Sequence, residues 1–495
     1  MSTSLTIIVV GATGDLARRK LFPALFACFA RGHLPADVRF VGLARTALTA
    51  EAFRQKLAEG LRCEEIEAGS CSLQAGEFLQ RCHYIRCEYE DAAGYTAAAA
   101  QLLHAEGGHR ANRLIYLAVP PFVFGGAVRA MATSGFLPRG AATPWTRLVI
   151  EKPFGRDRAS YAELAAALAA VCDEEQLFRI DHYLGKEMVQ NLLVLRFANS
   201  FFEPVWQRTC ISHVHIAWSE KQGVAGRAGY FDQYGILRDV MQNHLMQMLS
   251  LIAMEPPASL AADAIRDQKV AVLRAIVPLE RDDLVVGQYV AATGAAQRGY
   301  LQEEGVPVSS ITPTYAAAVV RVATPRWQGV PFLLTAGKGL CTARTEVRIH
   351  FRNDATLFDG VTADIPCHAV TNELLIRVQP AEKLALRIIS KVPGVGMQLG
   401  STELDLSYRE KYPTQRIADA YENLLLDVIR GDRSLFIRSD ELAAAWDIFT
   451  PALQQLAAQQ QPPLPYAIGS CGPAALHALA ATHGIFDTAE LEGAP

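Results

Sequence analysis

Between Arg179 and Glu187 the sequence reads R-I-D-H-Y-L-G-K-E, which gathers a carboxylate (Asp181), an imidazole (His182), a phenol (Tyr183) and an ammonium (Lys186) in one short run. That mixture suits ligand contact better than core packing. His182, Tyr183 and Lys186 can all donate to one phosphate, and each charge-assisted hydrogen bond contributes about 1.5–3 kcal/mol. The preceding residues Glu174 to Ile180 end in a short strand-like alternation, and Asp181 stands where a following helix would take its N-cap. Backbone amides and the helix dipole would then favour an anion at the same point, with Lys186 one turn beyond His182. We read the stretch as the cradle of a sugar phosphate; an ordinary capped helix with a solvated lysine would use the same residues.

A second chemical stretch lies at the start of the chain. Leu5 to Val10 is an apolar, β-branched run with no alternation, as expected of a strand buried on both faces of a parallel sheet. It leads into G-A-T-G-D-L-A, Gly11 to Ala17, and then into a helical pattern. Strand, glycine turn and helix arrive in the order a dinucleotide site requires. Gly11 permits the tight turn, Gly14 the close approach of a pyrophosphate and Ala17 the tight helix-to-sheet contact, with Ala12, Thr13, Asp15 and Leu16 completing the turn. The next strand, V-R-F-V-G-L-A-R, ends at Arg45, where NAD-preferring domains commonly carry an acid. No acid occurs from Val38 to Arg45, so NADP is favoured, with Arg45 toward a 2′-phosphate. An exposed loop arginine is the alternative.

The elements that must position these groups follow in order. Arg113 to Pro121 reads as another buried strand closed by a rigid Pro-Pro turn, and Arg147 to Gly155 as a strand that displays Lys152 at the same carboxyl edge, where open α/β sheets bind ligands. A structural ion pair with Glu151 is the alternative for that lysine. Gln55 to Gly108 reads as helical. Beyond Arg179 a long helix and then strand-rich segments replace the strand-helix alternation. Cys210 to Glu220 alternates with period two and puts His213 and His215 on one sheet face. Tyr230 to Leu249 reads as an apolar helix carrying Asp239 and His244; five positions are about 140° of an α-helix, so these two do not form a natural pair and a carboxylate for His244 must come from elsewhere. Strands recur at Ala316 to Ala323, Pro331 to Thr335, Thr345 to Phe351 and Glu373 to Gln379. The last third returns to helices, with Gly431 as a stop and Gln454 to Pro465 as a surface linker. The fold class expected is an α/β N-terminal Rossmann-type dinucleotide-binding domain, residues 1–181, plus a larger α+β C-terminal domain with a mainly antiparallel sheet, residues 182–495, for substrate and self-association.

Composition narrows the partners. Half of the 495 residues are hydrophobic, a fifth are charged and the net charge is −4, so a basic surface for nucleic acid or anionic membrane is not indicated. The ten cysteines are scattered, which suits a reduced cytoplasmic protein better than a disulfide scaffold. The first residues read as a strand and not as a signal peptide, and no window has the roughly 18 apolar residues of a membrane span.

Taken together, G-A-T-G-D-L-A, E-K-P-F-G, R-I-D-H-Y-L-G-K-E, R-D-V-M-Q-N-H, I-R-V-Q-P and R-S-D-E-L resemble the glucose-6-phosphate dehydrogenase family along most of the chain. The resemblance implies oxidation of β-D-glucose 6-phosphate at C1 with hydride transfer to NADP, giving 6-phosphogluconolactone, the first step of the oxidative pentose phosphate route. It implies that His244 is the general base and Asp181 the carboxylate that orients it. It implies sugar contacts from Lys152, which also meets the cofactor, and from Glu220, Asp239, Lys338 and Gln379, with the 6-phosphate held by His182, Tyr183 and Lys186. No metal is implied, and self-association as a dimer or tetramer is. One departure is Ala343, where the family usually has a basic residue five positions after the lysine of G-K; Arg344 is the nearest replacement. Two other functions remain compatible. A dehydrogenase without phosphate selectivity would oxidise glucose as readily as its phosphate, and a non-catalytic NADP-binding regulator would bind cofactor but form no NADPH.

Overall fold

A computed structural model describes residues 4–61, 71–140, 143–292, 294, 297–352 and 371–485. The chain forms two compact units, one of Met1–Gly185, Ser259–Arg266 and Ala418–Ala443, the other of Lys186–Ala258, Asp267–Ile417 and Ala444–Pro495.

In the first unit the apolar run Leu5–Val10 becomes β1, followed by β2 (Arg39–Ala44), β3 (Cys82–Arg86), β4 (Asn112–Leu117), β5 (Thr146–Glu151) and β6 (Leu177–Ile180). They form one sheet in the order β3-β2-β1-β4-β5-β6, parallel throughout. This is the doubly wound dinucleotide-binding order, whose switch point lies between β1 and β4. β1 and β4 are buried along their whole length, which explains why they lack alternation. β3 corrects the all-helical expectation for Gln55 to Gly108: C-H-Y-I-R is a short, half-buried edge strand without a β-branched run, so its sequence carries little strand signal. Residues 62–70 of that stretch lie outside the described residues.

The first unit also takes back a helix from late in the chain. Ala420–Arg430 is capped by Asp419 and stopped by Gly431 at φ 84°, as the sequence indicated. Leu424, Leu425 and Val428 join Phe22, Phe26, Phe40 and Phe78 in the core beside the sheet. Arg147 at the start of β5 donates to the carbonyls of Val428 (2.6 Å) and Ile429 (2.8 Å), satisfying oxygens that the helix end leaves open. Arg31 pairs with Glu422 at 3.0 Å.

Among the described residues the second unit has nine strands: β7 (Ile211–Ser219), β8 (Leu284–Val290), β9 (Tyr315–Arg321), β10 (Pro331–Gly337), β11 (Arg344–Phe351), β12 (Glu373–Gln379), β13 (Lys383–Lys391), β14 (Leu399–Ser407) and β15 (Leu464–Ala467). Their order is β14-β13-β12-β11-β7-β10-β9-β8-β15. Only β7 with β10 and β8 with β15 run parallel. The sheet is therefore mainly antiparallel. The supposed linker at Gln454 to Pro465 is instead the end of a helix, Ser439–Gln459, and the start of edge strand β15; its Gln- and Pro-rich composition reflects exposure at an edge, where proline is tolerated. Trp206 and Trp327 are buried, and their indole N–H groups donate to Ile252 O (2.9 Å) and Ala253 O (2.8 Å). Cys71 is disulfide-bonded, while Cys82, Cys87, Cys172, Cys210 and Cys341 are not. No helix among the described residues is long and apolar enough to cross a membrane.

Candidate functional site

Because all six strands of the first unit run the same way, their carboxyl ends share one edge. Gly11 follows β1, Arg45 follows β2, Lys152 follows β5 and Asp181 follows β6. Four predicted functional positions from 170 residues of sequence are thereby placed on one side of one sheet, the side at which such sheets bind ligands.

The turn after β1 fits a dinucleotide. Gly11 has φ +89°, and a Cβ there would lie 2.3 Å from Ala118 O, so only glycine is accommodated. A Cβ at Gly14 would stand 3.1 Å from Gly11 O, and the Gly14 N–H donates to that oxygen at 2.9 Å. Ala12 and Ala17 are fully buried while Thr13, Asp15 and Leu16 are not. The following helix begins with a wide, π-type segment, Ala17–Leu21, a feature found often at functional sites. Arg45 lies over the Tyr89 ring at 5.1 Å. Both line a cleft of about 560 Å³ with Glu90, Pro120 and Phe122. A cation above an aromatic wall suits a phosphorylated ribose and a base.

Lys152 follows a buried carboxyl group. Glu151 accepts from the Tyr116 hydroxyl at 2.5 Å. Burial pushes the Glu151 carboxyl above the usual range, against the hydrogen bonds from Tyr116 and Tyr421 and the charge of Lys152. Tyr421, from the returning helix Ala420–Arg430, also lies flat against the His182 ring, 6.1 Å between centroids and 9° between planes. Sequence reasoning missed Tyr116, Glu151 and Tyr421 as supports of the site. Only the tertiary fold shows that residue 421 packs on residue 182.

The R-I-D-H-Y-L-G-K-E stretch departs from expectation in its local structure. Asp181 caps a turn and not a helix. Its Oδ1 accepts from the Tyr183 N–H at 3.0 Å, and its carbonyl accepts from Leu184 N at 3.0 Å. The helix starts only at Glu187, with Lys186 as a cap that makes no side-chain capping bond. Hence Lys186 is not one helical turn beyond His182. An Asp side chain readily bonds the backbone two residues on, which holds a turn open against helix. Asp181 and Tyr183 are buried and His182 is half-buried. Gly185 answers to packing: a Cβ there would meet Ala420 O at 2.5 Å and Leu424 Cγ at 2.9 Å. Gly185→Ala is therefore expected to cost about 1–3 kcal/mol, as overpacked substitutions do, and a lowered Tm in a thermal melt checks it.

Within the second unit the predicted residues fall into three groups. Lys186 Nζ donates to Gln379 Oε1 at 2.7 Å. Lys338 pairs with Glu220 at 2.8 Å and lies over the Trp218 and Phe231 rings at 4.9 and 5.5 Å. Asp239 and His244 share the π-type segment Leu237–Leu245. That segment is not the α-helix assumed for the spacing of the pair. In a π-helix the hydrogen bonds join i to i+5, so residues five apart are less widely splayed there than in an α-helix. Asn243 secures the wide turn, its amide donating to the carbonyls of Arg238 (3.0 Å) and Asp239 (3.1 Å) while its oxygen accepts from His244 N (2.6 Å). His244 is 3% exposed.

Arg344 pairs with Glu346 on its own strand at 3.4 Å. His213 and His215 are sheet-face residues, as expected. His213 stacks on His350 at 4.1 Å, and His215 Nε2 meets Thr335 Oγ1 at 2.9 Å. Burial, then the charges of His215, Arg348 and Arg387, pushes His350 down to about 3.

Comparison with known proteins gives the family. Residues 8–191 match the family model "Glucose-6-phosphate dehydrogenase, NAD binding domain" and residues 193–487 match "Glucose-6-phosphate dehydrogenase, C-terminal domain". Glucose-6-phosphate 1-dehydrogenase 1, chloroplastic, of Arabidopsis thaliana is 49% identical over 98% of this chain and 83% of its own length. The Dictyostelium discoideum glucose-6-phosphate 1-dehydrogenase is 46% identical over 95% of this chain and 92% of its own. Among solved structures, a glucose-6-phosphate dehydrogenase in complex with its substrate glucose-6-phosphate superimposes with TM-score 0.90 and 38% identity, covering 98% of this chain and 99% of that one. The Mycobacterium avium glucose-6-phosphate 1-dehydrogenase gives TM-score 0.81 at 32% identity, covering 97% and 98%.

Proposed function

The chain belongs to the glucose-6-phosphate dehydrogenase family, and from that premise we propose how its residues divide the work of oxidising β-D-glucose 6-phosphate at C1. The product is 6-phosphogluconolactone. The observation that carries the function is similarity along nearly the whole chain, at 49% identity, in a protein whose dinucleotide turn and sugar-phosphate stretch are both intact. NADP, when bound, accepts the hydride. Gly11 to Leu16 would hold its pyrophosphate, Arg45 its 2′-phosphate and Lys152 its nicotinamide end.

His244 removes the proton from the C1 hydroxyl, a task suited to a neutral imidazole near neutral pH. Asp181 keeps the ring oriented and stabilises the imidazolium that forms. Glu220 and Asp239 accept from sugar hydroxyls, and Lys152 donates to the sugar. His182, Tyr183 and Lys186 hold the 6-phosphate. The bond between Lys186 and Gln379 and the pair of Lys338 with Glu220 support assigning both members of each to substrate, because each partner keeps the other extended. Self-association as a dimer or tetramer and a cytoplasmic location belong to the same proposal. Curated relatives include chloroplastic and cytoplasmic enzymes.

The test is NADPH formation followed by absorbance with NADP or NAD against glucose 6-phosphate or glucose. The expected outcome is a strong preference for NADP and for the phosphorylated sugar; equal rates on both sugars would favour a dehydrogenase without phosphate selectivity. Arg45→Ala should raise the KM for NADP about 10- to 100-fold, the loss of one charge-assisted contact, and leave the KM for NAD nearly unchanged. Steady-state kinetics with each nucleotide checks it.

A further inference from the structure

Two thiols in the second unit have no part in the chemistry proposed above. Cys341, in the turn after β10, and Cys471, in the segment after β15, have their sulfur atoms 3.0 Å apart although 130 residues separate them. Neither is in a disulfide, and both are partly exposed. The backbone holds them in register: Cys341 N–H donates to Ser470 O at 2.9 Å, and Gly469 N–H donates to Gly339 O at 2.7 Å. The Tyr466 hydroxyl adds a bond to Lys338 O at 2.6 Å. Gly472, at φ +110°, packs so closely that a Cβ would lie 2.8 Å from the Tyr315 ring, which fixes where the chain runs beside Cys471.

The thiols line a cavity of about 40 Å³ shared with His215, Thr335 and Arg344. That volume holds roughly one or two waters, so a molecule of the size of hydrogen peroxide fits where a nucleotide or sugar does not. The other thiols outside disulfides among the described residues are less suited to oxidation. Cys28, Cys82, Cys87 and Cys172 are buried; burial pushes Cys87 up to about 11 and Cys172 up to about 12, against reaction as thiolates. Cys210 is partly exposed but has no second cysteine beside it among the described residues.

We propose that Cys341 and Cys471 are a peroxide-responsive thiol pair that closes to a reversible disulfide and staples the segment after β15 to the turn that begins at Lys338. One thiolate attacks a peroxide oxygen; the S–O bond forms, the O–O bond breaks and hydroxide leaves, taking a proton to become water. The second thiol then attacks the sulfenic sulfur, the S–S bond forms, the S–O bond breaks and a second water leaves. Two thiols are oxidised and one peroxide is reduced to two waters. A dithiol reductant reverses the link by exchange.

The test treats the full-length protein with hydrogen peroxide, blocks remaining thiols by alkylation and maps the digest by mass spectrometry. The expected result is a peptide joining residues 341 and 471, lighter by two hydrogens than the separate peptides, lost on dithiothreitol treatment and absent from Cys341→Ser and Cys471→Ser. Because the link closes a long loop, the Tm of the oxidised wild type should rise by about 5 °C, with no rise in either variant. Recovery of the two cysteines as separate alkylated or over-oxidised peptides, or an unchanged Tm in the oxidised wild type, overturns the proposal. Peptide mapping of the wild type does not depend on either variant folding.

Discussion

His244→Asn should lower kcat by about 10³-fold, within the range general-base catalysis supplies, while the KM for glucose 6-phosphate changes little. Asparagine keeps a planar polar side chain of similar reach but cannot take up a proton. The two parameters therefore separate: a group that acts only as the bond breaks affects kcat and kcat/KM together and leaves substrate binding alone. The buried setting of His244 makes a folding control necessary, so Tm and near-UV circular dichroism are measured on the same preparation. A folded variant with near-normal turnover would remove His244 from the role of base. Asp239→Ala gives the contrast. As a sugar contact, Asp239 should affect KM at least as much as kcat.

Much of this arrangement was legible in the sequence because the signals were local. The apolar run of β1, the G-A-T-G-D-L-A turn and the missing acid before Arg45 are read from consecutive residues, and a parallel sheet then carries Arg45, Lys152 and Asp181 to one edge without further information. Three features were not legible, each for a physical reason. The wide turn at Leu237–Leu245 depends on Asn243 bonding two carbonyls, and asparagine inside an apolar helical pattern gives no notice of it. The turn at Asp181 competes with helix through one side-chain bond to Tyr183 N, so the same aspartate reads equally well as an N-cap. Tyr421 reaches Glu151 and His182 only because an element from late in the chain packs into the first unit, a contact that periodicity cannot contain. Edge strands β3 and β15 escaped for a related reason: with one ladder partner and partial exposure they need little of the β-branched pattern that marks central strands.

The phosphate assignment leads to the second large effect. His182→Asn should reduce kcat/KM for glucose 6-phosphate by about 10- to 150-fold, the loss of one charge-assisted bond of about 1.5–3 kcal/mol, and leave the slow oxidation of unphosphorylated glucose unchanged. The ratio of the two specificities is the informative quantity. His182 does two things in this structure: it carries ring N–H groups suited to an anion, and its ring lies parallel to Tyr421. A purely packing role would make the substitution harm both sugars alike, because a displaced Tyr421 would disturb Glu151 and the neighbouring Lys152 whatever the substrate. A phosphate role harms only the substrate that bears a phosphate. Inhibition by inorganic phosphate gives an independent reading, since its Ki should rise in step with the loss on glucose 6-phosphate. A variant in which both sugars lose rate equally, with Ki unmoved, would transfer His182 from ligand contact to support of the returning helix and leave Lys186 and Tyr183 as the phosphate donors.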